Sequence, residues 1–137
     1  MIFVDTNVVM YAAGDDHPLR DPCRAIVDAI GKRSIPAATS VEVVQEILHR
    51  YVAIDRTTGG LALAEQTMDL FAPVLPITHT LMRRVPDLAR RYPALSARDL
   101  IHVATCIHEG IIDIVSTDRG FDAVLEINRI PPESFAA

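Results

Sequence analysis

The sequence predicts an α/β domain in which a parallel β-sheet is flanked by helices. Short apolar runs that suit buried strands alternate with longer segments of helical periodicity, and this order is typical of parallel sheets. The 137 residues provide for one hydrophobic core but not for two. Two strand-like runs, at residues 2–4 and 113–116, lead directly into polar clusters that contain an aspartate. Functional residues of such sheets gather at the carboxyl ends of the strands, so we expect a site there.

Composition and charge exclude several classes of protein. Half of the residues are hydrophobic and 23% are charged, which excludes a disordered chain. The formal net charge of −5 excludes a protein that holds nucleic acid by bulk positive charge alone. The two cysteines lie far apart and show neither disulfide nor metal spacing. Because we find no signal peptide and no membrane span, we expect a cytoplasmic protein without membrane contact.

The first half of the chain predicts two strands and three or four helices. We expect a strand at 2–4, a short helix or turn at 8–13, a helix at 18–31 that Gly31 ends, and a weak strand at 35–38 whose proline suggests a sheet edge or a strand end. The clearest helix spans 39–53, where Thr39 and Glu42 form a capping box. A break at Thr58-Gly59-Gly60 then precedes a helix at 61–71.

The second half continues the alternation. We expect a strand at 73–77 between turns, a helix at 78–92 that Pro86 interrupts, a helix at 96–109, a strand at 113–116 and a last short segment at 124–127. Ser96 and Asp99 form a capping box at the start of the 96–109 helix, and Gly110 ends it. Prolines 131 and 132 end the ordered chain, which predicts a domain over residues 1–132 and a loose tail over 133–137.

Four carboxylates are the candidates for a functional site, namely Asp5, Glu46, Asp99 and Asp118. Asp5 and Asp118 follow strands, whereas Glu46 and Asp99 lie at the border of the apolar stripe of their helices. Glu42 lies nearly opposite that stripe and is explained as a capping residue and a solvated charge. Carboxylates beside buried strands repel one another unless a cation relieves the repulsion, and hard divalent cations prefer carboxylate oxygens.

Each of these carboxylates also has an ordinary structural explanation. Asp99 can be a capping residue with Ser96, Asp118 a turn residue, and Glu46 a charge on a helix surface. Asp5 is the hardest to explain in this way, because it follows a buried strand directly. The joint placement of the four is therefore more informative than any one of them.

Four segments of the chain carry a combination of motifs. They are residues 5–11 (DTNVVMY), Ser40 followed by Glu46, residues 96–105 (SARDLIHVAT) and residues 115–122 (VSTDRGFD). In this order and at these separations they resemble the PIN domain and, more narrowly, the VapC-type toxins of bacterial toxin–antitoxin pairs. The resemblance covers nearly the whole chain.

The resemblance implies a metal-dependent endoribonuclease with a PIN-like, three-layer fold and a parallel sheet of about five strands. Such an enzyme uses Mg²⁺ or Mn²⁺, cleaves structured cellular RNA such as tRNA or rRNA loops, and acts as the toxin of the pair. The implied partners are a cognate antitoxin that blocks the active site and a second copy of the chain in a homodimer.

The resemblance also implies roles for individual residues. The catalytic acids would be Asp5, Glu46, Asp99 and Asp118, of which Asp5, Asp99 and Asp118 would bind the metal. The supporting residues would be Thr6, Asn7, Thr117 and, as an accessory acid, Asp122.

A cluster of arginines offsets the acidic balance locally. It consists of Arg83, Arg84, Arg90, Arg91 and Arg98. Such a strip suits RNA phosphates or an acidic antitoxin segment, and it can also be an ordinary solvated helix face.

Several alternatives remain open at this point. His102, on the same helix face as Asp99, can be a metal ligand, a proton carrier or a border residue with satisfied hydrogen bonds. The main rival function is a catalytically silent PIN-like scaffold that binds a protein partner. A phosphatase with Asp5 as nucleophile is disfavoured because Lys32, the only lysine, lies near no strand end. A metal-free ribonuclease is disfavoured because no two histidines are placed as acid and base.

Overall fold

A parallel β-sheet forms the centre of the fold. The computed structural model describes residues 1–135. Within that range the strands are β1 (Ile2–Val4), β2 (Ala37–Ala38), β3 (Asp113–Val115) and β4 (Asn128–Ile130). Their order is β2-β1-β3-β4, and every neighbouring pair runs parallel. The predicted α/β class and parallel sheet are confirmed, and β2 lies at an edge, as the proline before it suggested.

Helices cover both faces of this sheet. They are α1 (Thr6–Ala13), α2 (Arg20–Gly31), α3 (Val41–Ala53), α4 (Thr57–Leu70), α5 (His79–Met82), α6 (Val85–Arg91), α7 (Ala97–Glu109) and α8 (Pro132–Phe135), and a 3-10 helix spans Arg119–Ala123. Successive residues of a strand point to opposite faces, yet Ile2, Phe3 and Val4 are all buried. β1 is therefore covered on both sides, as parallel sheets generally are.

The expected strand at 73–77 is wrong, which leaves four strands in the described sheet where the resemblance implied about five. Only one parallel bridge forms there, between Ser40 and Leu75. Leu75 donates its N–H to Thr39 at 2.8 Å and accepts from the N–H of Val41 at 3.0 Å. Pro73 and Pro76 flank this bridge and have no N–H to donate, so the ladder cannot extend as a regular strand.

The start of α3 differs by one residue from the predicted capping box. Ser40, not Thr39, caps the helix, because its Oγ accepts from the N–H of Glu42 at 3.2 Å. Thr39 is fully buried and its hydroxyl donates to the carbonyl of Val4 at 2.8 Å. The hydroxyl that the capping box required is therefore used to join this segment to the end of β1.

The predicted break at Thr58-Gly59-Gly60 is also wrong, because α4 begins at Thr57 and runs through both glycines. The chain turns earlier, at Asp55, whose φ of 58° lies in the left-handed region. Gly60 is buried against α3, and a Cβ built on it would lie 2.5 Å from Cβ of Tyr51. Glycine therefore serves here to let two helices approach closely, and it does not end one.

Other helix ends follow the predictions more closely. Ser96 caps α7 and Gly110 ends it with a φ of 68°. Pro86 lies in the first turn of α6, so the helical segment at 78–92 restarts there. α2 ends at Gly31, as predicted, but the left-handed residue that follows the helix is Arg33, with a φ of 57°.

The C-terminal region is more ordered than the sequence predicts. The last strand is β4 at Asn128–Ile130, whereas the expected segment at 124–127 forms a turn before it. Pro132–Phe135 form α8, which packs against α2. This differs from the loose tail expected from residue 133, of which residues 136–137 lie outside the described part of the chain. The domain boundary at residue 132 stays a prediction.

Two smaller expectations concern thiols and membranes. Cys23 and Cys106 are both buried and unbridged, as their separation predicted. In residues 1–135, no helix has both the length and the apolar composition that crossing a bilayer demands.

The two glycines of α4 provide a matched test of the packing against α3. We expect Gly60→Ala to lower the free energy of unfolding by about 1–3 kcal/mol, since overpacking against Tyr51 outweighs the gain in helix propensity. At Gly59 an added Cβ would meet the Tyr51 ring at an ordinary 3.8 Å. Gly59→Ala should therefore raise the free energy of unfolding by up to about 1 kcal/mol. Urea titrations of both variants measure these changes, and equal effects of the two would contradict the close approach.

Candidate active site

The four predicted carboxylates converge on one cavity at the carboxyl edge of the sheet. The cavity has a volume of about 190 Å³. Its lining consists of Asp5, Thr6, Asn7, Met10, Glu46, Arg50, Arg98, Asp99 and Asp118. Asp5 follows β1, Asp118 follows β3, Glu46 comes from α3 and Asp99 from the first turn of α7. Four separate elements thus contribute one acid each.

Asp5 is the most buried of these acids, with 4% of its surface exposed. Its Oδ1 accepts from the N–H of Thr6 at 2.7 Å. Its Oδ2 accepts from the Ser116 hydroxyl at 2.6 Å and from the Asn7 amide at 3.0 Å. Burial raises the pKa of Asp5, while nearby His102 and these hydrogen bonds oppose the rise. The carboxylate is held in one orientation in the floor of the cavity.

Ser116 joins the ends of the two central strands, although the sequence analysis did not select it. Besides donating to Asp5, its Oγ accepts from the N–H of Asp118 at 2.9 Å and from the Asn7 amide at 3.3 Å. Asn7 in turn accepts from the N–H of Thr117 at 3.2 Å, so the contact of Thr117 is through its backbone. The position of Ser116 could have indicated its role, because it is the first polar residue after β3.

His102 is the second residue whose place the sequence did not predict. It is fully buried, so the expectation of a border residue is wrong. Its Nε2 lies 2.6 Å from Oε1 of Glu46 and 3.5 Å from Oδ1 of Asp5, and its ring packs against Phe3 with centroids 5.5 Å apart. Burial lowers the pKa of His102, but the hydrogen bond that it donates to Glu46 and the charges of Asp5, Glu46 and Asp99 raise it above the ordinary value overall.

Asp99 and Asp118 form the half-buried side of the cavity. Both predicted local roles are present, since the N–H of Asp99 bonds to the capping Ser96 hydroxyl at 3.2 Å and Asp118 accepts from the N–H of Gly120 at 2.8 Å. Both acids also line the cavity. Burial and the charges of Asp118 and Asp5 raise the pKa of Asp99 to about 6. A local role in a turn or a cap is therefore compatible with a place in the site.

The donor set fits a hard divalent cation. One carboxylate oxygen of Asp5, one of Glu46 and one ring nitrogen of the adjacent His102 all lie within 4.8 Å of one another, so the two acids are close enough to share a cation. The carboxylates of Asp99 and Asp118 share the same cavity. Thr6 also lines the cavity, and its hydroxyl is buried without a hydrogen-bond partner among the described residues. Crowded carboxylates, among which Asp5 and Asp99 have a raised pKa, and an unpartnered hydroxyl are what a cation with bound waters would stabilise.

Two of the predicted supporting residues, Thr117 and Asp122, do not line the cavity. Asp122, the proposed accessory acid, forms a two-pronged ion pair with Arg129 at 2.7 and 3.2 Å, and Arg129 also donates to the carbonyl of Ser116 at 3.0 Å. Asp122 does not line the cavity, and its contacts stabilise the loop after β3. Glu42 is half-buried, with a pKa that burial raises, so it is not the solvated charge that the sequence predicted.

The arginine cluster is dispersed rather than continuous. Arg98 lines the cavity, whereas Arg91 pairs with Glu126 at 2.7 Å and Arg83 donates to His79 at 3.0 Å. Arg84 and Arg90 are exposed on and beside α6. The cavity has a second arginine that the sequence analysis missed, Arg50. Arg50 lies four residues after Glu46 and therefore on the same side of α3, and this spacing could have predicted its place in the cavity.

Comparisons with known proteins agree with this geometry. The sequence model of the PIN domain matches residues 2–126. A VapC ribonuclease of Mycobacterium bovis and ribonuclease VapC13 of Mycobacterium tuberculosis are each 37% identical over 130 residues, covering 95% of this chain and 99% of the relative. These matches confirm the resemblance found in the sequence.

Solved structures show the same fold. The Mycobacterium tuberculosis toxin VapC20, described as cleaving the sarcin-ricin loop, has a TM-score of 0.75 at 19% identity, covering 91% of this chain and 95% of that chain. The VapBC2 complex of Rickettsia felis, bound to a DNA fragment from its promoter, has a TM-score of 0.74 at 16% identity, covering 95% and 98%. FitAcB of Neisseria gonorrhoeae has a TM-score of 0.72 at 19% identity, covering 97% and 99%.

The raised pKa of Asp99 predicts how stability depends on pH in the metal-free protein. Between 3.8, the ordinary value, and about 6, the folded state binds a proton more tightly than the unfolded state does. The contribution of Asp99 to the free energy of unfolding therefore falls as the pH rises through this range. Asp99→Asn should be more stable than the wild type at neutral pH, and the two should converge as the pH approaches 3.8.

Urea titrations of the wild type and of Asp99→Asn, in chelator, at neutral pH and near pH 3.8 measure this difference. Asp69→Asn, at an exposed position of α4, is the matched control and should show no such pH-dependent gain. A wild type more stable than Asp99→Asn at neutral pH would show that donors, and not repulsion, dominate at Asp99.

Proposed function

The chain belongs to the PIN domain family, its relatives described above are VapC ribonucleases, and we therefore propose that it is a divalent-metal-dependent endoribonuclease. The observation that carries the proposal is the convergence of Asp5, Glu46, Asp99 and Asp118 on one cavity. No common structural role explains why carboxylates from four elements meet at this edge of the sheet, and their mutual repulsion lowers the stability of the folded state. The alternative, a silent scaffold that binds a protein partner, does not require them.

The residues of the cavity divide into two chemical groups. Asp5, Asp99 and Asp118 would bind Mg²⁺ or Mn²⁺, with Glu46 completing the set. The chemistry that such a cation supplies is an activated water and neutralisation of charge at the phosphate. Thr6, Asn7 and Ser116 orient the Asp5 carboxylate through the hydrogen bonds described above.

Two arginines give the acidic cavity a means of binding RNA. Arg50 and Arg98 line its wall. Among residues 1–135, no carboxylate lies within 4.0 Å of either guanidinium in an ion pair, so both groups are available to phosphates. RNA binding therefore rests on a local site, although the whole chain carries a net charge of −5.

The substrate and partner proposals follow from chemistry and from the relatives. The deep groove of an A-form helix cannot be read by side chains, so a cleavage site in an exposed loop of tRNA or rRNA is favoured. The structurally similar VapC20 is described as cleaving the sarcin-ricin loop. Because the structural neighbours include toxin–antitoxin complexes, we infer that the chain is the toxin of such a pair and binds a cognate antitoxin. The homodimer stays a prediction.

Cleavage of a defined pool of cellular RNAs tests the proposed activity. The protein, freed of any partner, should cut with Mg²⁺ or Mn²⁺ and not with chelator. Asp99→Asn should lower the rate at least about 100-fold, because removing one ligand charge costs several kcal/mol of transition-state stabilisation. Asp69→Asn should cut like the wild type. Cuts that persist in chelator or in Asp99→Asn would contradict the metal-dependent mechanism, and folded protein that binds metal but cuts no RNA would favour the scaffold.

The salt dependence of RNA binding tests the role of the two arginines. The measurement uses the Asp99→Asn background, where cleavage does not interfere. In this background Arg50→Gln and Arg98→Gln should each make the negative slope of log affinity against log salt shallower by about 0.7 to 1. Lys32→Gln, at an exposed position after α2 on the approach to β2, is the control and should leave the slope unchanged. Filter binding at several salt concentrations measures the slopes. Unchanged slopes in both arginine variants would exclude these side chains as phosphate contacts.

A further inference from the structure

The reaction outlined above leaves one buried group of the site without a role, namely His102. We propose that His102 is a positioning residue, which holds the Glu46 carboxylate at the cavity and does not bind the metal itself. This inference rests on the proposed function, because it assigns the residue that orients one member of the acidic cluster.

The side chain of His102 lies behind the carboxylates and not beside them. The residue is 0% exposed, and it is absent from the lining of the cavity, which both Asp5 and Glu46 contribute to. A cation placed in that cavity would meet the carboxylate oxygens before it met the imidazole. Burial thus separates His102 from the four acids, although all five side chains cluster at the same edge of the sheet.

Hydrogen bonding assigns the proton of the ring. Nε2 lies 2.6 Å from Oε1 of Glu46, and a carboxylate can only accept, so Nε2 carries the hydrogen. Both protonation forms that satisfy this contact have an Nε2–H, and a protonated nitrogen has no lone pair for a cation. Nδ1 cannot substitute for it, because Nε2 faces Glu46 and Asp5 and the second nitrogen of an imidazole ring points in another direction, and the ring packs against Phe3. Neither nitrogen is therefore available as a ligand in this arrangement.

Glu46 is the acid that needs such a donor. Asp5 is held by three donors and Asp118 accepts from a backbone N–H, whereas the hydrogen bond that the described residues give Glu46 is the one from His102. A long side chain carries more rotamer freedom than an aspartate, and neighbouring carboxylates repel it. By fixing Oε1, His102 leaves Oε2 for the cavity.

The second carboxylate near the ring supports the same interpretation. Nε2 lies 3.5 Å from Oδ1 of Asp5, which is too long for a good hydrogen bond but short enough for electrostatic attraction. His102 thereby sets the distance between an acid at the end of β1 and an acid in the middle of α3. Donors of this kind orient metal ligands, and their loss lowers metal affinity by about 10–100-fold.

Binding of Mn²⁺ to purified protein tests the inference without any RNA. His102→Leu keeps an apolar side chain of comparable size but no donor, and it should weaken Mn²⁺ binding by about 10–100-fold in a calorimetric titration. His102→Gln supplies an amide N–H near the place of Nε2, and it should restore most of the affinity. His108→Leu, at an exposed position of the same helix, is the matched control and should bind Mn²⁺ like the wild type.

A double-mutant cycle separates positioning from a structural role. In the Glu46→Gln background, His102→Leu should change Mn²⁺ affinity little further, because His102 acts through Glu46. Equal losses in both backgrounds would overturn the inference in favour of general loss of packing, and an unchanged affinity in His102→Leu alone would also overturn it.

Pulsed electron paramagnetic resonance of the wild type needs no variant, so it decides the case even if His102→Leu does not fold. We expect no nitrogen directly coordinated to bound Mn²⁺, whereas a strong nitrogen coupling would identify a histidine ligand, which at this site is His102 beside Asp5 and Glu46, and would overturn the proposal. A wild type that binds no Mn²⁺ would overturn the metal-dependent function together with this inference. Normal Mn²⁺ binding with an insensitive His102→Leu would overturn the inference alone.

Discussion

The burial of Asp5 at the end of β1 is the constraint on which the rest of the site depends. A carboxylate with 4% exposure is costly unless several donors surround it. Each donor comes from a different part of the fold: Thr6 and Asn7 from the start of α1, and Ser116 from the end of β3. Satisfying Asp5 therefore fixes the two central strands against one helix. The same arrangement brings Asp118, two residues after Ser116, to the cavity.

Much of the fold was predictable because its signals are local. Ser96 and Gly110 mark the ends of α7 through capping and backbone conformation, and these effects act within one helical turn. The errors arise where a distant contact overrides a local preference. Gly60 lies inside α4, where a larger side chain would clash with Tyr51 of α3. Thr39 does not cap α3, because its hydroxyl donates to the carbonyl of Val4. No window of neighbouring residues contains that information.

The same distinction divides the site. The four acids could be selected from the sequence because polar residues after strands, or at the border of a helical stripe, stand out locally. Their hydrogen-bond partners could not, since the Glu46–His102 contact joins positions 56 residues apart and the Asp5–Ser116 contact positions 111 apart. Asp122 shows the reverse error. Its place in a motif suggested a role as an accessory acid, but its carboxylate forms an ion pair with Arg129 instead. Pairing across the fold, and not residue type, determines which acids remain free to act.

The cavity is a place where function opposes stability. Asp99 has its pKa raised to about 6 by burial and by the charges of Asp118 and Asp5, so ionising it at neutral pH works against folding. Natural proteins retain such conflicts at functional sites, and the rest of the core compensates for them. Any ligand that binds the folded state and relieves the repulsion must stabilise the fold by mass action. A divalent cation would be such a ligand, and an RNA phosphate bound by Arg50 and Arg98, as proposed, would not be repelled by the acids once the cation is bound. The acidic cavity and the negative net charge would then be compatible with the proposed RNA binding, because the cation and the two arginines would reverse the sign of the local field at the cavity.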